Sequence, residues 1–154
     1  MEIREFATYT DMQVAHQKDV AAFPMTYSFG IKSDAEMKEL LGKIGATCLT
    51  ECVSLYGAGD IMRKVDVPKW KELCKQHAQE RELFAQKEEK LVEMILSEMY
   101  NHEYSYTRDP DDTLSALGKT KAAFEDELFN RAWKKAEQKR FEPINEYEGE
   151  ENER

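Results

Sequence analysis

The thirteen residues from Tyr100 to Asp112 (YNHEYSYTRDPDD) hold one histidine, four acidic side chains and three tyrosines. An imidazole beside a carboxylate, as at His102 and Glu103, can serve as a general acid and base. Glu103 with Asp109, Asp111 or Asp112 could also surround a divalent cation if folding brings the carboxylates together. The spacing is not that of the two-histidine helical zinc motif. Local structure competes for the same residues. Asp109-Pro110-Asp111-Asp112 has the form of a helix start: a capping side chain, a proline in the first turn, then two carboxylates over the positive end of the dipole. His102 falls where the preceding helix ends, a place that favours an imidazolium. The stretch therefore reads first as a junction between helices. As a binding surface it offers Asn101, His102, Glu103, Tyr104 and Tyr106, the two tyrosines alternating as in an extended segment.

Other chemistry-bearing groups are sparser. Gly57-Ala58-Gly59 lacks the further glycine and the lysine of a phosphate loop, and a strand follows it, so it reads as a hairpin turn with positive φ angles. Arg63 and Lys64 beside it could meet an acidic group on a partner. His77 lies on the apolar side of a long helix and reads as a partly buried histidine bonded to a neighbour. Cys48, Cys52 and Cys74 match neither a disulfide framework nor a four-ligand zinc site, and read as buried thiols that behave as small hydrophobes. No serine or cysteine sits in a nucleophile elbow, and the histidines at 16, 77 and 102 carry no partner signature. No catalytic residue and no cofactor is assigned.

The elements that position these groups follow from spacing. Thr10 to Gln13 and Ser33 to Glu36 have the form of capping boxes, predicting helices over about 11–22 and from 34 to Gly42 or Gly45. Met25 to Phe29 alternates with period two, and the stretches 52–56 and 61–65 flank the Gly57–Asp60 connection as a hairpin. Asp66-Val67-Pro68 opens a helical run to Tyr100 that is either continuous or divided near Gln86, where the sequence is nearly all polar. Leu114 and Leu117 supply the inner face of a short helix that Gly118 ends. A last helix over about 120–140 carries a broad apolar stripe of Phe124, Leu128, Ala132, Phe129, Trp133 and Ala136. The fold class is α+β, mostly helical, with a small antiparallel sheet of about three strands packed against a long helix and a C-terminal helix. Residues 1–141 are expected to form one globular domain and 142–154 an acidic tail.

Of 154 residues, 41% are hydrophobic and 34% charged, the composition of a soluble chain. No run is long and apolar enough to span a membrane and the N-terminus has no signal-peptide core, so a cytosolic location is expected. The formal charge is -9, and the tail, with six glutamates against Arg154, carries -5 of it. An acidic chain gains nothing from counterion release on phosphates, which argues against direct nucleic-acid binding and for a basic partner protein. A homodimer burying the long helix is a further possibility.

Phe29, the run Tyr56-Gly57-Ala58-Gly59-Asp60-Ile61-Met62-Arg63-Lys64, His77, Asn101-His102-Glu103-Tyr104 and Asp112-Thr113-Leu114-Ser115-Ala116-Leu117-Gly118 together resemble a family of small uncharacterised proteins from bacteriophages, prophages and gut bacteria, over roughly residues 20–135. Ala58 stands where that family tends to run on in glycines, and Met62 interrupts its aromatic-aliphatic stretch. The family has no assigned activity, so the resemblance implies a phage-related origin, and through it a host bacterial cytosol, but no catalytic residues. The expectation is a small binding protein that inhibits or modulates a bacterial defence or host protein, anti-CRISPR-like or otherwise anti-defence, by non-catalytic contact. A defence nuclease with a basic groove is one such partner. The alternative is a metal-dependent hydrolase or nuclease using His102, Glu103 and the nearby aspartates.

Overall fold

The computed structural model describes residues 2–141; the acidic tail expected over 142–154 lies outside them. The chain divides into two compact units. One comprises the residues up to Glu5 with Thr10–Arg81, the other Phe6–Tyr9 with the residues from Glu82 on. The elements mix helices with a small three-stranded antiparallel sheet, the α+β class expected from the periodicities.

In the first unit, α1 (Tyr9–Ala22) begins earlier than the Thr10 capping box implies. β1 (Met25–Tyr27) follows, then α2 (Asp34–Lys43). Ser33 caps α2 as expected, its hydroxyl accepting the Glu36 amide at 3.2 Å, whereas the Glu36 carboxylate reaches back to the Lys32 amide. β2 (Cys52–Val53) and β3 (Asp60–Arg63) are shorter than the hairpin read from sequence, and the sheet order is β1-β3-β2. The register sets Met25 opposite Met62, Tyr27 opposite Asp60 and Cys52 opposite Arg63. Alternation then puts Ile61 on one face, where it packs with Leu41, Ile44 and Ala46, and fully buried Met62 on the other. A 3-10 turn over Lys64–Asp66 leads into α3 (Val67–Ala85). The long helical run is thus divided at Gln86, as its polar stretch allowed, and α4 runs over Glu88–Asn101.

The second unit is built on α4. Leu91, Ile95 and Met99 recur one turn apart on its inner row and pack against Phe129, Ala132, Trp133 and Ala136 of α7 (Glu127–Phe141). Each large apolar side chain so buried contributes about 1.5–3 kcal/mol. Ala132 and Ala136, both fully buried, let the two helices approach, and Phe124 sets its ring edge-on against Trp133 at 5.0 Å between centroids.

The junction differs from the extended segment expected for Tyr104 and Tyr106. Those residues lie in a single helical turn, α5 (Tyr104–Thr107), set off at each end by a left-handed residue, Glu103 and Arg108, both at φ 54°. α6 (Asp111–Ala116) follows. α6 starts where the Asp-Pro-Asp-Asp run predicts, and Gly118 at φ 69° closes it.

Candidate functional site

Two tetrads, His16-Gln17-Lys18-Asp19 on α1 and His77-Ala78-Gln79-Glu80 on α3, each place an imidazole and a carboxylate three residues apart and hence on one helical face. The helices meet so that the pairs cross. His16 Nε2 lies 2.8 Å from Glu80 Oε2, and His77 Nε2 lies 2.8 Å from Asp19 Oδ2. The two rings stack at 3.9 Å between centroids and 17° between planes. Arg4, from the arm ahead of α1, places its guanidinium between the carboxylates, with Nε 2.9 Å from Glu80 Oε1 and Nη2 2.6 Å from Asp19 Oδ2. Gln76 donates to Glu80 Oε1 at 2.8 Å and to the main-chain oxygen of Glu2 at 3.2 Å.

The electrostatics follow from this crossing. Burial alone would raise the Glu80 carboxyl, yet hydrogen bonds from Arg4, Gln76 and His16 outweigh it and hold the group at about 2. Burial likewise opposes ionisation of Asp19, and Arg4 and His77 pull it below the ordinary carboxylate value. Both carboxylates are therefore ionised at neutral pH, and each ring nitrogen facing them donates. His16 is shifted down, first by burial and then by the neighbouring imidazole, against the pull of Glu80. Two carboxylates and one guanidinium leave a charge of -1, which a single imidazolium would neutralise. A second would set two cations face to face.

Asp19 and Gln76 also line an open groove of about 730 Å³ between α1, the end of β3 and α3, with Phe23, Pro24 and Leu73 on its apolar side. Arg63, one of the residues expected to meet a partner, is on its wall and is bonded through Nε to buried Asp66 at 2.7 Å. Lys64 next to it is exposed.

The glycine turn is a second feature of the same unit. Asp60, buried at the start of β3, accepts the Ser54 hydroxyl at 2.8 Å and the main-chain amides of Leu55, Tyr56 and Ala58. Burial would raise this carboxyl; the four donors bring it to about 2. One side chain thus fixes the whole turn. Around it stand Tyr27, Phe29 and Tyr56, which are 48%, 73% and 59% exposed. Tyr27 and Phe29 stack at 5.9 Å and 7°. Phe29 crosses Gly59, whose φ of 79° suits glycine and where a Cβ would meet the phenyl ring at 3.3 Å. The Tyr56 hydroxyl accepts from the Trp70 indole at 2.8 Å.

In the junction, His102 Nε2 lies 3.4 Å from Glu98 Oε2 one turn back, and Glu98 accepts the Tyr9 hydroxyl at 2.7 Å. Tyr104 is turned into the core against Trp133 and Phe141, so Asn101, Glu103 and Tyr106 are the members of that segment left exposed. Asp109 accepts the Asp111 amide at 3.0 Å, and Asp111 lies 3.7 Å from Lys121. Among the described residues, no three histidine, cysteine, aspartate or glutamate side chains are grouped to hold a metal ion. The expectation of a His77 bonded to a neighbour holds, its partner Asp19 coming from another helix; the expectation of buried thiols does not, because Cys48 and Cys74 are exposed and Cys52 is half-buried. The paired tetrads were the signal available in the sequence.

The model of a family of unknown function, DUF7659, matches residues 8–139. The chain belongs to that family. The match takes in His16, Asp19, His77 and Glu80, the glycine turn and the junction, and begins after Arg4. No curated protein and no solved structure matches the chain. No helix among the described residues is long and apolar enough to cross a membrane.

Proposed function

We propose that the protein acts by non-catalytic contact with a protein partner, and that the turn between β2 and β3 is its principal contact. The observation that carries this reading is the Tyr27–Phe29 stack over Gly59 beside Tyr56: three large rings held at the surface by a turn that a buried carboxylate has already ordered. Exposed aromatic side chains on a fixed backbone lose little freedom when covered, and tyrosine in particular recurs among the residues that dominate interface energetics. Phe29 and the run from Tyr56 to Asp60 are among the residues that carry the resemblance to phage and prophage proteins, which favours a bacterial defence or host protein as the partner and an anti-defence role. The charge of -9 favours a partner with a basic surface and an association rate that falls with ionic strength.

Capture from lysates of bacteria carrying common defence systems tests this. The immobilised chain and its Phe29→Ala, Tyr56→Ala double variant are compared, with circular dichroism to verify that the variant is folded. A protein held by the first and lost by the second supports the reading. Partners held equally by both would remove the turn from the contact.

A further inference from the structure

The Arg4 guanidinium faces two carboxylates at once. Its Nε and Nη2 reach Oε1 and Oε2 of Glu80 at 2.9 and 3.0 Å, one fork against another. The same Nη2 and Nη1 face Oδ2 and Oδ1 of Asp19 at 2.6 and 3.5 Å. Two edges of one planar cation are therefore matched, a geometry that an ammonium group cannot reproduce.

The receptor has supports besides Arg4, whose main-chain amide also donates to Glu80 Oε1 at 3.2 Å. Asp19 and Glu80 stand on helices, and His77, His16 and Gln76 orient them by hydrogen bonds at 2.8 Å. The Glu80 side chain has no exposed surface, whereas that of Arg4 is 35% exposed. The residues from Glu2 to Phe6 that deliver Arg4 have neither helix nor strand, and Arg4 precedes the span matched by the family. With the guanidinium removed, the two carboxyl groups would be left beside a pair of imidazoles stacked 3.9 Å apart, with no side-chain cation between them. The vacated site would keep two acceptor groups set to the two edges of a planar cation. Asp19 and Gln76 open onto the groove, whose apolar wall suits an aliphatic stem.

We propose that the Asp19–Glu80 pair is a guanidinium-binding site, filled in cis by Arg4 and able to take an arginine side chain of another chain when the arm withdraws. It uses residues other than those of the aromatic turn, so either proposal can fail alone.

The full chain carrying Arg4→Ala is titrated with Nα-acetyl-arginine amide, its neutral ureido analogue Nα-acetyl-citrulline amide, and Nα-acetyl-lysine amide. Thermal unfolding and the ring resonances of His16 and His77 are followed. The arginine compound is expected to raise Tm, to move both histidine resonances and to bind about tenfold tighter than either of the others. Adding Glu80→Gln to Arg4→Ala should abolish that preference. Three compounds acting alike, or a preference that survives Glu80→Gln, would overturn the assignment. Should Arg4→Ala not fold, Arg4→Lys keeps a cation on the arm without the planar fork, and the same preference is required of it.

Discussion

The junction from Asn101 to Asp112 and the cluster of Arg4, His16, Asp19, His77 and Glu80 draw on the same residue types and differ in the distance along the chain over which each side chain is bonded. At the junction most bonds are local. Asp109 serves the amide two residues on, Thr107 the amide of Asp109, and His102 faces Glu98 one turn back. The longer reaches are the Tyr104 hydroxyl to Glu137 at 3.4 Å and Arg140 to the Ser105 hydroxyl at 2.7 Å. In the cluster the partners are 15, 58, 64 and 76 positions apart. Local bonds shape a turn and leave side chains such as Tyr106, 84% exposed, to the surface. Bonds of long reach exist only in the folded unit, and they buried a charged group without orphaning it. The second unit is less complete in this respect: Thr113 Oγ1 and Arg140 Nε are buried with no partner. Crowding of polar residues in sequence and convergence of polar residues in space are thus different properties, and in this chain they fall in different units.

The contrast can be broken most directly at Glu80. Glu80→Ala removes the buried acceptor shared by Arg4, His16 and Gln76 and should cost about 3 kcal/mol in a urea titration, against about 0.5 kcal/mol for His102→Ala, whose contact with Glu98 is partly exposed. Equal costs would abolish the distinction between the regions. Next in size is the response to acid. Folding lowers the affinity of His16 for protons, so the unfolded chain binds more of them as pH falls through 6.5, and stability present above that value is lost below it. A second loss follows as pH drops from 4.5, the ordinary value of a glutamate, towards the value of about 2 held by Glu80. Chemical denaturation at a series of pH values should show both stages, and His16→Gln should remove the first. A wild-type curve flat between about pH 7 and 5 would contradict the sign. Asp109→Ala should cost about 1 kcal/mol, because it removes a side chain that satisfies an amide at the start of α6. The smallest effect has the opposite sign. Glu103→Gly relieves a left-handed residue and should add about 0.5 kcal/mol to the unfolding free energy, a gain that a binding role for the Glu103 carboxylate would offset in partner affinity, not in stability.

What the sequence made legible was whatever depends on near neighbours. Ser33 with Glu36 located α2, the polar run around Gln86 located the division between α3 and α4, and Asp-Pro-Asp-Asp located α6. The period-two stretch at Met25 and the Gly-Ala-Gly turn located the three strands, though not their short length; after β2 the Leu55 and Tyr56 amides go to the Asp60 carboxylate, and β3 runs into the turn over Lys64–Asp66. Tyr104 and Tyr106 misled because alternate tyrosines fit a strand and a helical turn alike once left-handed residues bracket them. The cluster was hidden for a different reason. His16 and Asp19 are ordinary on an exposed helix, and only the second tetrad at His77 gives them meaning. Nothing in the first six residues marks Arg4 as the cation between them.

One feature of the chain path bears on how the molecule can be cut. Phe6–Tyr9 belong with the residues from Glu82 on, although the chain to either side belongs with the other unit. The main-chain oxygen of Phe6 accepts from Lys90, the Tyr9 amide donates to Glu93 and its hydroxyl to Glu98. No single scission therefore frees either half intact. A fragment beginning at Glu82 would leave Glu93 and Glu98 without donors they have in the whole chain, and would regain them only if a peptide covering residues 6–9 were supplied separately.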